Sequence, residues 1–161
     1  MNAIDLLEAQ HREVEDLFSK LDKTKDAAKK EAIFVELADS LAIHTTIEER
    51  HFYPAVREKG AEEGAFETFE DHLSIKRALN ALLDLDIEDD SFEEKLDVLQ
   101  AEVVHHVEQE EGDLFPRVMR LFDENELEDI GDAMSAEQSE LEERGNPREA
   151  VPEEVDKTAP V

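Results

Sequence analysis

The chain has 161 residues, with 45 acidic against 17 basic side chains and a formal net charge of −28. That charge repels polyanions and anionic lipid, so neither nucleic acid nor a membrane is an expected partner. It contains no Cys, which excludes disulfides, thiolate ligation and cysteine catalysis. No apolar run approaches the ~18 residues of a membrane span.

Residues 1–18 are amphipathic and acidic, unlike a signal or transit peptide, so a cytoplasmic location is expected. A stripe of Ile4, Leu7, His11, Val14, Phe18 and Leu21 predicts a first helix that buries one face. A loop is required somewhere in the polar stretch 22–30. The second stripe reads Ile33, Leu37, Leu41, His44, Glu48, Phe52. Gly60 and Gly64 break the chain before a third stripe of Phe69, His72, Ile75, Leu79 and Leu82. A polar run over 86–91 follows, and Ser91 with Glu94 reads as a capping box opening a fourth helix. That helix carries Leu96, Leu99, Val103, His106, Glu110, Leu114, Val118 and Leu121. Residues 123–144 predict a shorter, very acidic fifth helix, stopped by Gly145. The remainder, 146–161, holds Pro147, Pro152 and Pro160 and reads as an extended tail, docked or disordered. The expected fold is all-α: an up-down-up-down four-helix bundle over 1–122, a C-terminal helix over 123–145, and the tail over 146–161.

One phrase occurs twice. His44-Thr-Thr-Ile-Glu48-Glu49 runs on to Tyr53-Pro54, and His106-Val-Glu-Gln-Glu110-Glu111 runs on to Phe115-Pro116. Residues i and i+4 share a helix face, so each copy aims one imidazole and one carboxylate at the same point. Proline interrupts helical hydrogen bonding, so Pro54 and Pro116 are expected to bend or end their helices just beyond that point.

Four stripes each place a histidine where an apolar residue belongs. In an antiparallel bundle, residues equidistant from a turn lie at the same depth. The midpoint of His44 and His72 is residue 58, beside Gly60. The midpoint of His72 and His106 is residue 89, within the polar run. His11 and His44 are level if a loop falls near 27–28. Four level histidines with two inward carboxylates are costly in an apolar core unless a cation compensates them. A metal centre satisfies that demand, and a polar network closed by hydrogen bonds is the alternative. His11, His44, Glu48, His72, His106 and Glu110 are too many ligands for one tetrahedral zinc. They suit two six-coordinate ions with bridging carboxylates. A nitrogen and oxygen donor set without sulfur favours iron, then manganese.

Other residues rank lower. Tyr53, the single tyrosine, lies nine residues after His44, nearly opposite on an ideal helix. It can ligate or hydrogen-bond a metal only if the helix distorts before Pro54. Glu15 follows His11 at i+4 and is a candidate carboxylate or imidazole acceptor. Glu49 and Glu111 read as surface residues or acceptors for ligand N–H groups. His51 sits ~10 Å along the axis from His44 and reads as an end residue, His105 as a flank residue. Lys76, if inward, could hold a carboxylate near the site, although such a lysine more often extends to solvent.

On His11 in Gln-His-Arg-Glu, His44 with Glu48, His72 in Glu-Asp-His-Leu and His106 with Glu110, the chain resembles the hemerythrin-like proteins of the HHE cation-binding family. The resemblance covers about residues 1–122. It implies a four-helix bundle around a non-haem centre of two iron ions joined by an oxo or hydroxo bridge. Oxygen-carrying hemerythrins have a second histidine at i+4 on the third helix and an Asp on the fourth. Here those positions hold Lys76 and Glu110. That departure points away from simple oxygen carriage. It favours binding or turnover of a small oxidant (hydrogen peroxide, O2 or NO), with a catalase-like peroxide disproportionation as one form. A non-catalytic iron or oxygen sensor is the alternative.

Overall fold

The computed structural model describes residues 1–155 and, at 62, 63, 65 and 66, the backbone alone. The outer part of the expected tail, 156–161, lies outside the described residues. The bundle is built from α1 (Ala3–Lys23), α2 (Ala27–Ile47), α4 (Glu62–Leu83) and α5 (Phe92–Gln109). Asn2 caps α1 by accepting from the Asp5 N–H, and Asp26 caps α2 by accepting from the Lys29 N–H. The first turn therefore falls at residues 24–26, inside the expected window. Gly60, at φ +96°, makes the second turn, in a conformation that side chains other than glycine adopt at a cost.

The two long helices that carry the repeated phrase do not end at the prolines. Each passes through one π-helical turn, Glu48–Phe52 and Glu110–Leu114, and resumes as α3 (Tyr53–Glu58) and α6 (Phe115–Leu121). Pro54 and Pro116 stand at the start of the resumed helices, where the missing N–H is least costly. A π turn inserts one extra residue and rotates everything beyond it. This is the distortion that Tyr53 needs.

The Ser91 capping box does not form. The Ser91 hydroxyl donates to Asp89 Oδ1, 2.7 Å away, and leaves the first turn of α5 without a side-chain cap. Asp89 competes for the hydroxyl because 86–91 is itself a tight polar turn. A true capping box opens α7 (Glu124–Arg144), where Asp123 and Glu126 satisfy one another's backbone N–H groups.

The acidic helix α7 packs across α1, α2 and the first π turn. Its Gly131 lies against the N-terminal backbone, where an added Cβ would sit 2.3 Å from the Met1 carbonyl oxygen. Alanine gains helix propensity worth about 1 kcal/mol, but backbone cannot move aside as a side chain can. Gly131→Ala is expected to destabilise by about 1–3 kcal/mol, read as a lower denaturant midpoint. A raised midpoint would show that α7 is not seated there.

The described part of the tail, residues 146–155, is docked and folds into short helical turns. Pro147–Ala150 forms a 3-10 turn and Val151–Glu154 a short α8. Val151 is buried in the core, and Arg148 Nη1 is 3.0 Å from both carboxylate oxygens of Asp39. Pro147 and Pro152 start these turns because proline fixes φ and needs no N–H partner.

Two apolar clusters fill the bundle. One includes Val14, Leu17, Leu41, Ile75, Leu79, Leu99 and Val103. The other includes Ile4, Leu7, Ile47, Phe52, Val56, Leu114, Phe115 and Val118. The four stripe histidines lie between them, as one polar layer across the bundle.

Candidate metal centre

All four Nε2 atoms turn inward. His44 Nε2 is 2.6 Å from Glu48 Oε1, and His106 Nε2 is 2.7 Å from Glu110 Oε1. These are the i, i+4 pairs of the repeated phrase. Glu48 Oε1 also lies 3.1 Å from His72 Nε2 and 3.4 Å from His106 Nε2. Glu110 Oε1 reaches His11 Nε2 at 3.1 Å. Donor atoms of His11, His44, Glu48, His106 and Glu110 fall within 4.8 Å of one another. His72 stands at the rim of that group and joins it through Glu48.

The outward Nδ1 atoms of His11, His44 and His72 are held by acceptors on other helices. His11 Nδ1 is 2.7 Å from Glu111 Oε2, and His72 Nδ1 is 3.1 Å from Glu49 Oε2. Within each Glu pair, the first carboxylate faces the cluster and the second orients a histidine from another helix. His44 Nδ1 is 2.8 Å from Gln10 Oε1. Such partners fix the imidazole so that Nε2 is free to bind. Gln10 escaped the sequence reading, where its place just before His11 was the one available sign.

Tyr53 enters the layer after the first π turn. Its hydroxyl donates to Glu110 Oε2 at 3.1 Å and lies 3.0 Å from His72 Nε2. Phe115 follows the second π turn and stacks on His11, ring centroids 5.9 Å apart. Glu15 does not enter. It is exposed on the outer face of α1 and pairs with Arg12, because i+4 from His11 has already turned towards solvent at the bundle edge. His51 pairs with Glu137 on α7 at 2.7 Å, and His105 lies 3.6 Å from Asp71. Lys76 is buried and contacts Glu49 and Glu154.

Protons show the electrostatic demand of the layer. Burial lowers the His106 pKa, but Glu110 and Glu48 outweigh it and raise it from 6.5 to about 10. Burial also opposes His11 and His72, yet adjacent carboxylates raise both. His44 goes down, because its burial exceeds the pull of Glu48. Glu48 is buried, which favours its neutral form, but the charge of His44 and hydrogen bonding with Glu110 and His106 hold it well below 4.5. Tyr53 is driven well above 10 by burial and then by Glu110 and Glu48, so it stays a phenol. Among the described residues, Glu48 Oε2 and His106 Nδ1 are buried without a hydrogen-bond partner. An orphaned oxygen on a charged carboxylate, amid four imidazoles, fits a cation.

The sign of the pH dependence follows. The stabilisation from charged His106 is full below its unfolded value of 6.5 and is lost as pH rises towards about 10. That from Glu48 is present above 4.5 and is lost as pH falls below it. The thermal midpoint of metal-free protein is therefore expected to peak between about pH 5 and 6.5 and to fall on both sides. A midpoint that climbs steadily to pH 9 in melting scans would contradict this charge arrangement.

A four-helix bundle with a buried layer of His and Glu donors defines a helical cation-binding domain. The match of residues 2–118 to the hemerythrin HHE cation binding domain makes it specific, and the chain belongs to that family. It is 29% identical over 149 residues to uncharacterized proteins of Mycobacterium tuberculosis and Mycobacterium bovis, covering 91% of this chain and 90% of each relative. It is 26% identical over 144 residues to a protein of a Nostoc species named DNA nickase, covering 89% of this chain but 41% of that longer relative. In fold it resembles the crystal structure of a hemerythrin HHE cation binding domain-containing protein from Mycobacterium kansasii. The TM-score is 0.79 at 23% identity, covering 98% of this chain and 94% of that one. No helix among the described residues is long and apolar enough to cross a membrane.

Proposed function

We propose that the layer holds two iron ions and that the protein binds or turns over a small oxidant there, hydrogen peroxide first. The carrying observation is the convergence of four Nε2 atoms and two fully buried carboxylates on one layer. In this reading His11, His44, His72 and His106 would supply nitrogen donors, and Glu48 and Glu110 would supply oxygen donors. A nitrogen and oxygen set of this size suits iron, with manganese second. Bound iron would supply the one-electron steps that convert an oxidant.

The chain's own residues do the rest. Glu49, Glu111 and Gln10 hold three imidazoles in orientation. The apolar clusters above and below exclude water, which strengthens every charge interaction in the layer. Tyr53 keeps its proton and presents it at the cluster, beside Glu110 and His72. It can hydrogen-bond a bound oxidant or pass a proton to it. Lys76, at the position of the oxygen carriers' extra histidine, turns its ammonium to Glu49 and Glu154. No fifth imidazole is offered from α4, which supports oxidant chemistry over carriage. The net charge of −28 supports a small ligand over a nucleic acid.

The test is oxygen release from hydrogen peroxide by iron-loaded protein on an oxygen electrode. Sustained release is expected, with Tyr53→Phe reduced by roughly ten- to a hundredfold, in the range for a group that transfers protons. Iron uptake with no release would leave the domain a binding or sensing one.

A further inference from the structure

The two ends of the histidine layer are built alike but closed differently. At one end Glu111 holds His11, and Arg12 holds Glu111. Arg12 is 54% exposed, so this end faces solvent. At the other end Glu49 holds His72, and Lys76 holds Glu49 at 2.8 Å. Lys76 is 6% exposed at its side chain, and its second partner is Glu154 of α8, again at 2.8 Å. A small cavity of about 20 Å³, lined by Glu49, Phe69, Leu73, Lys76 and Glu154, lies at this end. Val151 and the Arg148–Asp39 pair pin the segment that brings Glu154 there.

Resting on the two-metal reading, we propose that the C-terminal segment 147–154 is a working part of the metal centre. Glu154 and Lys76 are positioning residues that act through Glu49 to hold His72. The physical reason is the ammonium's need for compensation. A buried lysine between two carboxylates stays in place, whereas one facing Glu49 alone would swing towards water. Glu49 would follow it, and His72 would lose the acceptor that aims its Nε2 inward. Outer partners of metal-binding histidines typically contribute ten- to a hundredfold in metal affinity. The effect falls on one ion, because His11 at the far end has its own, independent holder. The chain thereby sets its two metal positions apart, one locked by the C-terminal segment and one open at the Arg12 rim.

The experiment is anaerobic release of ferrous iron from loaded protein to a chelator, followed optically, for wild type, Glu154→Gln, Lys76→Met and the double variant. Two release phases are expected in the wild type. Each single variant should speed one phase by roughly tenfold and leave the other unchanged. The double variant should match Lys76→Met, since both substitutions cut the same line of contacts. The hyperfine-shifted N–H proton of one histidine should move in Glu154→Gln, a change that mere loosening of the tail would not produce. Glu137→Gln breaks an ion pair of similar type on α7 and should leave both phases alone. Equal acceleration of both phases, a single phase in every variant, additive effects or an unmoved proton would each overturn the proposal. Failure of the wild type to take up iron would instead overturn the two-metal reading on which it rests.

Discussion

Adding ferrous iron to the metal-free protein under nitrogen should raise its thermal midpoint by roughly 10 °C or more. Without a metal, the layer is held by protons shared between imidazoles and two buried carboxylates, and Glu48 Oε2 has no partner among the described residues. An ion that binds only the folded chain stabilises it by about 4 kcal/mol when present at a thousand times its dissociation constant. For a chain of this size, 1 kcal/mol corresponds to about 2–4 °C. One ion therefore suffices for the stated shift, and two exceed it. Scanning calorimetry with and without iron measures this directly. A shift below about 2 °C at saturating iron would mean that the layer is a proton-closed polar network.

Glu48→Ala should have the largest effect of any single substitution. Glu48 Oε1 lies against His44, His72 and His106 together, at 2.6, 3.1 and 3.4 Å. Its loss removes a proposed oxygen donor, strips His44 of its nearest negative charge and takes a close one from His72 and His106. Iron content is expected to fall from two ions to one or none. Breaking a buried charged network by removing one partner costs about 3–5 kcal/mol, so the metal-free midpoint should fall as well. Glu48→Gln keeps the volume and separates the effects, with metal lost and more of the packing kept. Glu15→Ala, on the exposed face of α1, should alter neither quantity. Iron analysis and urea unfolding of the four proteins decide the matter. Two ions retained in Glu48→Ala would show that Glu48 is not a required donor.

The bundle and the inward histidines were legible because both rest on short-range regularities. The i, i+4 spacing of His44 with Glu48 and His106 with Glu110 fixes a shared face. Turn midpoints at residues 58 and 89 fix the depth of His72. The family likeness rested on the same residues. What was not legible depends on contacts between distant segments. Glu49 and Glu111 were readable as acceptors for ligand N–H groups, but that they orient histidines on other helices is revealed by no spacing within their own helix. Glu154 reaches Lys76 across 78 residues of chain. Tyr53 required a π turn, and periodicity assumes a uniform helix. The proline that follows it hinted at the interruption without giving its form. Ser91 failed as a cap because Asp89 competes for its hydroxyl. The Asp123–Glu126 box shows the same pattern succeeding where no such competitor intervenes.

Anaerobic titration of the metal-free protein with ferrous iron, with bound metal counted after gel filtration, tests the centre most directly. The account predicts two ions per chain, falling to one or none in Glu48→Ala. A plateau at one ion in the wild type, or no retained iron, would contradict it.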